Sequence, residues 1–277
     1  MFMWPFALVA LEGGLKALKR FRQDPRLLFC LAWYLPYWVA IELIPTKLPH
    51  YALPAYPAMI LLMAWVLTDK SATSIELSRW QFWLRRACAF GTLGISIGLA
   101  AIALGITPYF LGGFSWWGLL AAMLVLYAAT LGSTASDAMP PLKRTAFAAA
   151  AAAAAFGVLT LKILPPLKPL WLSPQISERF EKLKPCPTSV LASAGYGEPS
   201  LVFLAGTKTQ LTDGKGAAEA LVADPACAIA VVAEAESKAF LSAIPGGAEA
   251  LKVRGRIEGM NYSKGEPRSL TFYTLAR

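Results

Sequence analysis

The groups best suited to chemistry in this 277-residue chain concentrate in one stretch, Pro45-Thr-Lys47-Leu-Pro49-His50-Tyr51-Ala-Leu-Pro54-Ala-Tyr56-Pro57. Its four prolines exclude a regular helix across the whole stretch, while Pro54 and Pro57 suit the first turns of a following helix. The chain therefore makes an ordered turn that leaves Lys47, His50 and Tyr51 just outside a helix N-terminus. Free backbone N–H groups and the helix dipole favour an anion there. Lysine adds a point charge and tyrosine a hydroxyl donor, a set that suits a phosphate and, at headgroup depth, a lipid-linked phosphate. A plainer reading stands beside it: Lys47 snorkels to a headgroup, Tyr51 belongs to an interfacial aromatic belt and His50 is incidental. Glu42, just upstream, is either a proton-handling or substrate-pairing acid or a partner for Lys47, and the partner role is favoured.

Other chemistries have little foothold. His50 is the one histidine, and the four cysteines form no cluster with metal-ligand spacing, so no metal site is expected. Cys30 and Cys88 fall in apolar runs and read as small buried residues. Cys186 and Cys227 fall in the tail and form a disulfide only if the tail occupies an oxidising compartment. The net charge of +9 is spread over short loops and gives no basic patch, so no nucleic-acid partner is expected.

Hydrophobic residues make up 56% of the chain and charged residues 16%, too apolar a balance for a soluble domain of ordinary surface. Apolar runs of spanning length are Leu27 to Ile44, Leu53 to Thr68, Ala87 to Ile106, Trp116 to Ser133 and Thr145 to Leu164. They predict five membrane spans. The shorter run Phe2 to Leu11 lacks an n-region or cleavage site and reads as the end of a helix whose start is missing. Lysine and arginine number five in Lys16 to Arg26, four in Lys70 to Arg86 and two in Lys143 to Arg144. The alternate side has Lys47, Lys162 and Lys168. The positive-inside rule then puts the basic loops in the cytoplasm, and puts Pro45 to Ala52, Thr107 to Ser115 and the tail outside. Trp33, Trp38, Trp116, Trp117 and Trp171 fall near expected interfaces. Ser74 to Arg86, with Leu77, Trp80 and Leu84 at helical spacing, reads either as an interfacial helix or as a solvated basic loop. The alanines Ala148 to Ala155 predict a close-packing helix face.

After Pro165-Pro166-Leu-Lys-Pro169 the pattern alternates. Helices are expected at Gln175 to Leu183, Ser200 to Ala205, Ala217 to Val222 and Ser237 to Ala243. Strands are expected at Ser189 to Ala194, Thr209 to Thr212, Ala228 to Ala233, Leu251 to Met260 and Leu270 to Leu275. No phosphate loop or nucleophile elbow is present. Gly195-Tyr-Gly197-Glu-Pro199 reads as a strand-to-helix turn, with Glu198 and Pro199 in the helix's first turn. The whole is a polytopic α-helical membrane protein with a C-terminal soluble α/β domain. Residues 1–26 form a partial membrane helix and basic cytoplasmic segment, 27–164 the transmembrane block, 165–173 a linker and 174–277 the outer domain.

The string Pro45 to Pro57, followed at once by an apolar helix, resembles a segment of bacterial aminoarabinose transferases of lipid A and related protein mannosyltransferase-like enzymes. Trp4-Pro5 and the basic loop after it stand in matching order. Gly195-Tyr-Gly197-Glu-Pro199-Ser-Leu-Val-Phe203 and Gly259-Met-Asn261-Tyr-Ser263-Lys-Gly265 resemble the outer domain of the same group. The resemblance implies a GT-C membrane glycosyltransferase of a bacterial inner membrane, moving a sugar from a polyprenyl-phosphate donor to a periplasmic acceptor, a glycolipid like lipid A or a protein. Lys47 and Tyr51 match motif positions near the lipid phosphate, whereas relatives often have another residue at His50.

One departure matters. Such enzymes carry a catalytic acid in a large first outer loop, and the aspartates before the tail, Asp24, Asp69 and Asp137, all fall in expected cytoplasmic loops. The chain therefore resembles the C-terminal half of such an enzyme, with membrane lipid, a polyprenyl-phosphate-linked sugar and the missing N-terminal half as expected partners. No cofactor is expected of this chain, and a divalent metal stays open for a full-length enzyme. A different class of reading is a non-catalytic, membrane-anchored binding or assembly protein.

Overall fold

The computed structural model describes residues 3–46, 48–133 and 139–276. The chain divides into two units, Met1–Pro165 and Pro166–Arg277.

The first unit is helical. Its α1 (Ala7–Arg20) is amphipathic and buries Leu8, Ala10, Gly13, Leu15, Lys16 and Ala17. Lys19 and Arg20, expected in a cytoplasmic segment, belong to this helix and donate to the carbonyls of Glu76 and Ser71. In α2 (Pro25–Glu42) the first turn is set by Asp24, whose carboxylate accepts from the Arg26 N–H, with Pro25 at the first helical position. A 3-10 turn, Pro49–Ala55, leads directly into α3 (Tyr56–Thr68), and the short α4 (Lys70–Thr73) is capped by Asp69.

The next helix, α5 (Arg79–Leu111), starts at a capping box in which Gln81 accepts from the Ser78 N–H, and ends at Gly112 with φ +73°. Ser74 to Arg86 is therefore neither a separate interfacial helix nor a loop: its second half is the first two turns of α5. The expected outer loop Thr107 to Ser115 also shrinks, because α5 runs on through Pro108 to Leu111. At 33 residues α5 is about 50 Å long.

After α6 (Trp116–Ser133) comes α7 (Pro141–Val158), continued by a π-helical turn, Leu159–Ile163. The alanines of α7 at positions 148, 151 and 155 are buried, and α7 packs on α6. Small residues set these distances. A β-carbon on Gly118 would lie 2.5 Å from the Ala103 carbonyl oxygen, and one on Gly13 would lie 2.8 Å from that of Leu62.

Among the described residues four helices are long and apolar enough to cross a membrane: His50–Thr68, Arg79–Leu111, Trp116–Ser133 and Pro141–Ile163. The fifth expected segment, Leu27 to Ile44, is the helix α2 but does not meet that measure. Arg26 and Glu42 at its ends, Pro36 and four tryptophans and tyrosines within it dilute its apolar content. The outer faces of the unit are apolar, with Phe90 64%, Phe156 67% and Leu161 73% exposed.

The second unit is a five-stranded sheet between two helical layers. Its elements are α8 (Leu172–Leu183), β1 (Leu191–Ala194), α9 (Pro199–Ala205), β2 (Gln210–Thr212), α10 (Gly214–Ala223), β3 (Ile229–Ala233), α11 (Ser237–Ala243), β4 (Leu251–Asn261) and β5 (Glu266–Leu275). Strand order is β2-β1-β3-β5-β4, with β1 parallel to β2 and β3, and β5 antiparallel to β3 and β4. The mixture follows from the connections: crossover helices separate β1, β2 and β3, and a hairpin joins β4 to β5.

Because β3 is covered on both faces, it is apolar throughout. Ile229, Val231 and Ala233 join Leu172, Ile176, Phe180, Leu201 and Phe272 in one core, while Ala230 and Val232 join Ala217, Leu221 and Phe240 in the other. The expected linker 165–173 is not a spacer. Leu167 and Leu172 are fully buried, and α8 begins at Leu172, earlier than Gln175. On β4, Gly255 sits in a bulge with φ +133°, directly under the guanidinium of Arg179, which donates to the Arg254 carbonyl at 2.7 Å.

Candidate functional site

The expected phosphate site is built on the turn between α2 and α3. Lys47 lies outside the described residues, as does Asp137. His50 and Tyr51 are not just outside a helix N-terminus but inside its first turn, because Leu48 is the N-cap and Pro49 the first helical residue. Proline tolerates that position since its missing N–H had no partner to lose. The Tyr51 N–H bonds the Leu48 carbonyl at 3.0 Å, and Tyr37 on α2 donates its hydroxyl to the Tyr51 carbonyl at 2.8 Å.

Ala52 and Ala55, almost fully buried, press the turn against the helices. His50 is exposed and Tyr51 half-buried, their rings edge to face at 4.9 Å. The structure thus brings together His50 and Tyr51, with Tyr37 as a tether that sequence reasoning missed. Aromatic residues are so frequent in apolar helices that spacing alone does not single it out. Glu42 is the last residue of α2 and is exposed.

An apolar groove of about 330 Å³ runs between α1, α2 and α3, lined among others by Leu15, Leu31, Tyr34, Trp38 and Leu62. Along α2 it ends at Trp38, one helical turn before Glu42.

At the opposite ends of α2 and α3, Arg26 holds Asp24 at 2.7 Å and Asp69 at 3.6 Å. The Arg26 side chain beside Asp24 holds that carboxyl below the ordinary carboxylate value. A second ionic group joins α1 to α5: Glu12 pairs with the buried Lys16 at 2.9 Å and lies 3.7 Å from Arg85.

In the second unit the two tail strings of the resemblance meet. Glu198 stands at the N-cap position of α9, and its carboxylate accepts from Asn261 Nδ2 at 3.0 Å and Ser263 Oγ at 2.5 Å rather than from the helix. These bonds, the Ser263 one first, hold its carboxyl below the ordinary glutamate value. Tyr196, buried, shares hydrogen bonds with Ser173, which also meets Ser200. Burial pushes the Tyr196 phenol up. Partners 63 and 65 residues apart leave no local signal in sequence. Asn261, in the sequon Asn261-Tyr-Ser263, is buried and bonded, so its amide is not presented for glycosylation.

Cys186 and Cys227 are joined, with Cα atoms 5.4 Å apart. Cys30 is free and buried, and Cys88 is free and partly covered. Among the described residues no three His, Cys, Asp or Glu side chains converge as a metal site would require. Compared with protein-family models, curated proteins and solved structures, the chain finds no match.

Proposed function

We propose that this chain is a multi-pass protein of a bacterial inner membrane and the C-terminal part of a glycosyltransferase that uses a polyprenyl-phosphate-linked sugar. On this reading α2 spans as well, the basic loops face the cytoplasm and the α/β unit faces the periplasm, an orientation that the charge asymmetry of the loops supports. The observation that carries the proposal is a proline-built turn bearing His50 and Tyr51 at the same end of α2 as an apolar groove whose last α2 residue, Trp38, lies one helical turn before Glu42. A carrier lipid needs both: a polar end for its phosphate and an apolar trough for its chain. On this reading Lys47 and Tyr51 take the phosphate, with Glu42 as the supporting acid. The catalytic carboxylate is supplied from outside this chain.

A second reading, a binding or assembly protein without turnover, draws support from the acids of this unit. Asp24 and Asp69 sit at the far ends of their helices and are held by Arg26, which leaves Glu42 as the described carboxylate closing the helix next to the turn.

Binding of a long-chain polyprenyl phosphate to the full chain in detergent tests the carrier contact. Lys47→Ala is expected to weaken it roughly tenfold or more, the scale of one charge-assisted hydrogen bond, and Tyr51→Phe to weaken it less. Unchanged binding in both variants removes these residues from the site. Release of polyprenyl phosphate from its sugar-linked form by proteoliposomes containing the upstream-encoded region separates the readings. Binding without release in that preparation favours the second.

A further inference from the structure

The N-terminal turns of α5 carry a second set of cations, far along the helices from the His50 turn. Phe82, Trp83, Arg86 and Phe90 recur at helical spacing on one face, which the rest of the unit leaves uncovered: Trp83 is 58% and Phe90 64% exposed. The Arg86 guanidinium lies 6.0 Å from the Phe82 ring centroid and 5.9 Å from those of Trp83 and Phe90. No carboxylate among the described residues pairs with it. Arg85, one position earlier, turns inward to Glu12, which already holds Lys16. Two cations therefore meet one carboxylate, and Arg86 stands apart from it. Beside the two arginines opens a groove of about 370 Å³, lined by Leu8, Phe82, Arg85, Arg86, Ala89 and Ser133.

A pair of guanidinium groups at the mouth of a groove with apolar walls matches an anionic amphiphile. The planar donor forks suit phosphate oxygens, and Leu8, Phe82 and Ala89 suit an alkyl chain. Arg86 is itself exposed, so its charge is open to an anion that reaches the rings around it. We propose that this groove binds the phosphate of an anionic phospholipid in the leaflet on the basic side of the helical unit. The proposal rests on the reading of α2 and the four apolar helices as membrane spans and is independent of glycosyl transfer.

The test uses the full chain in detergent, titrated with phosphatidylglycerol, phosphatidylcholine or soluble glycerol phosphate. Bound lipid is read by native mass spectrometry and stability by thermal unfolding. Phosphatidylglycerol is expected to bind at least tenfold more tightly than phosphatidylcholine, and Arg86→Gln to remove most of that preference. Arg79→Gln, on the same helix but outside the groove, should change it less than twofold. Ala89→Trp fills the groove without altering a charge and should displace the lipid as well, and Arg86→Lys should retain part of the preference.

Equal binding of the two lipids, an unchanged preference in both Arg86→Gln and Ala89→Trp, or glycerol phosphate acting as well as the lipid would each overturn the proposal. Release of the chain from membranes by alkaline carbonate would sink the membrane reading beneath it. Retention without anionic preference sinks the lipid site alone.

Discussion

Gly118 shows how little room single residues leave in the helical unit, since its α-carbon lies where a side chain would strike the Ala103 carbonyl. Gly118→Val is expected to cost about 1–3 kcal/mol by forcing α5 and α6 apart. Gly98→Ala on α5, with open space around it, should be near neutral. Thermal unfolding of both variants in one detergent checks the contrast, and equal losses would mean that the α5–α6 contact does not decide stability.

Glu198 makes a prediction for pH. Its carboxyl is held below the ordinary value of 4.5 by Ser263 and Asn261, with Lys264 the cation acting on it and Tyr196 and Tyr262 nearby. A depressed value in the folded state means that the charged form is favoured by folding. The contribution is complete above 4.5 and is lost as pH falls through the lower folded value. Denaturation of the full chain followed between about pH 6 and pH 3 should show a component of that slope, and Glu198→Gln should remove it.

At the scale of elements, the disulfide Cys186–Cys227 ties the segment after α8 to the segment before β3, across a sequence separation of 41. Closing a loop of that size stabilises by roughly 4 kcal/mol through the unfolded chain. Replacing both cysteines by alanine should therefore lower the unfolding temperature of the second unit clearly. Thiol alkylation before reduction should label neither Cys186 nor Cys227. The helix α11 depends on one residue more than any other, because Phe240 is fully buried against Tyr273 with ring centroids 5.0 Å apart. Phe240→Ala should cost about 3–5 kcal/mol, and a cost below about 1 kcal/mol would show that the core beneath α11 collapses to fill the space.

At the scale of the whole molecule, the proposed orientation assigns opposite sides to the two ends of α5. With Cys30 and Cys88 replaced by alanine, Gly113→Cys should react with a membrane-impermeant reagent in intact cells after outer-membrane permeabilisation. Ser74→Cys should react only once the inner membrane is opened. The reverse pattern would invert the orientation and return the α/β unit to the cytoplasm, where the disulfide has no place.

The run lengths, charge asymmetry and alternating tail pattern were local properties, so the helical block, the α/β unit and the succession of its helices and strands along the chain were legible in the sequence, whereas the strand order of the sheet was not. The proline-built turn at Pro45 to Pro57 was legible too, because proline acts on its own backbone. Helix bounds were less so: a capping box at Ser78 and Gln81 drew the basic loop into α5, and Pro108 did not stop that helix before Gly112. Three features belong to tertiary structure alone. Tyr37 reaches the Tyr51 carbonyl, Glu198 gathers Asn261 and Ser263, and Leu8, Arg85 and Ser133 line one groove. Each joins residues on different elements, and the crossing of those elements is decided by packing volume and backbone approach, which no spacing along the chain encodes.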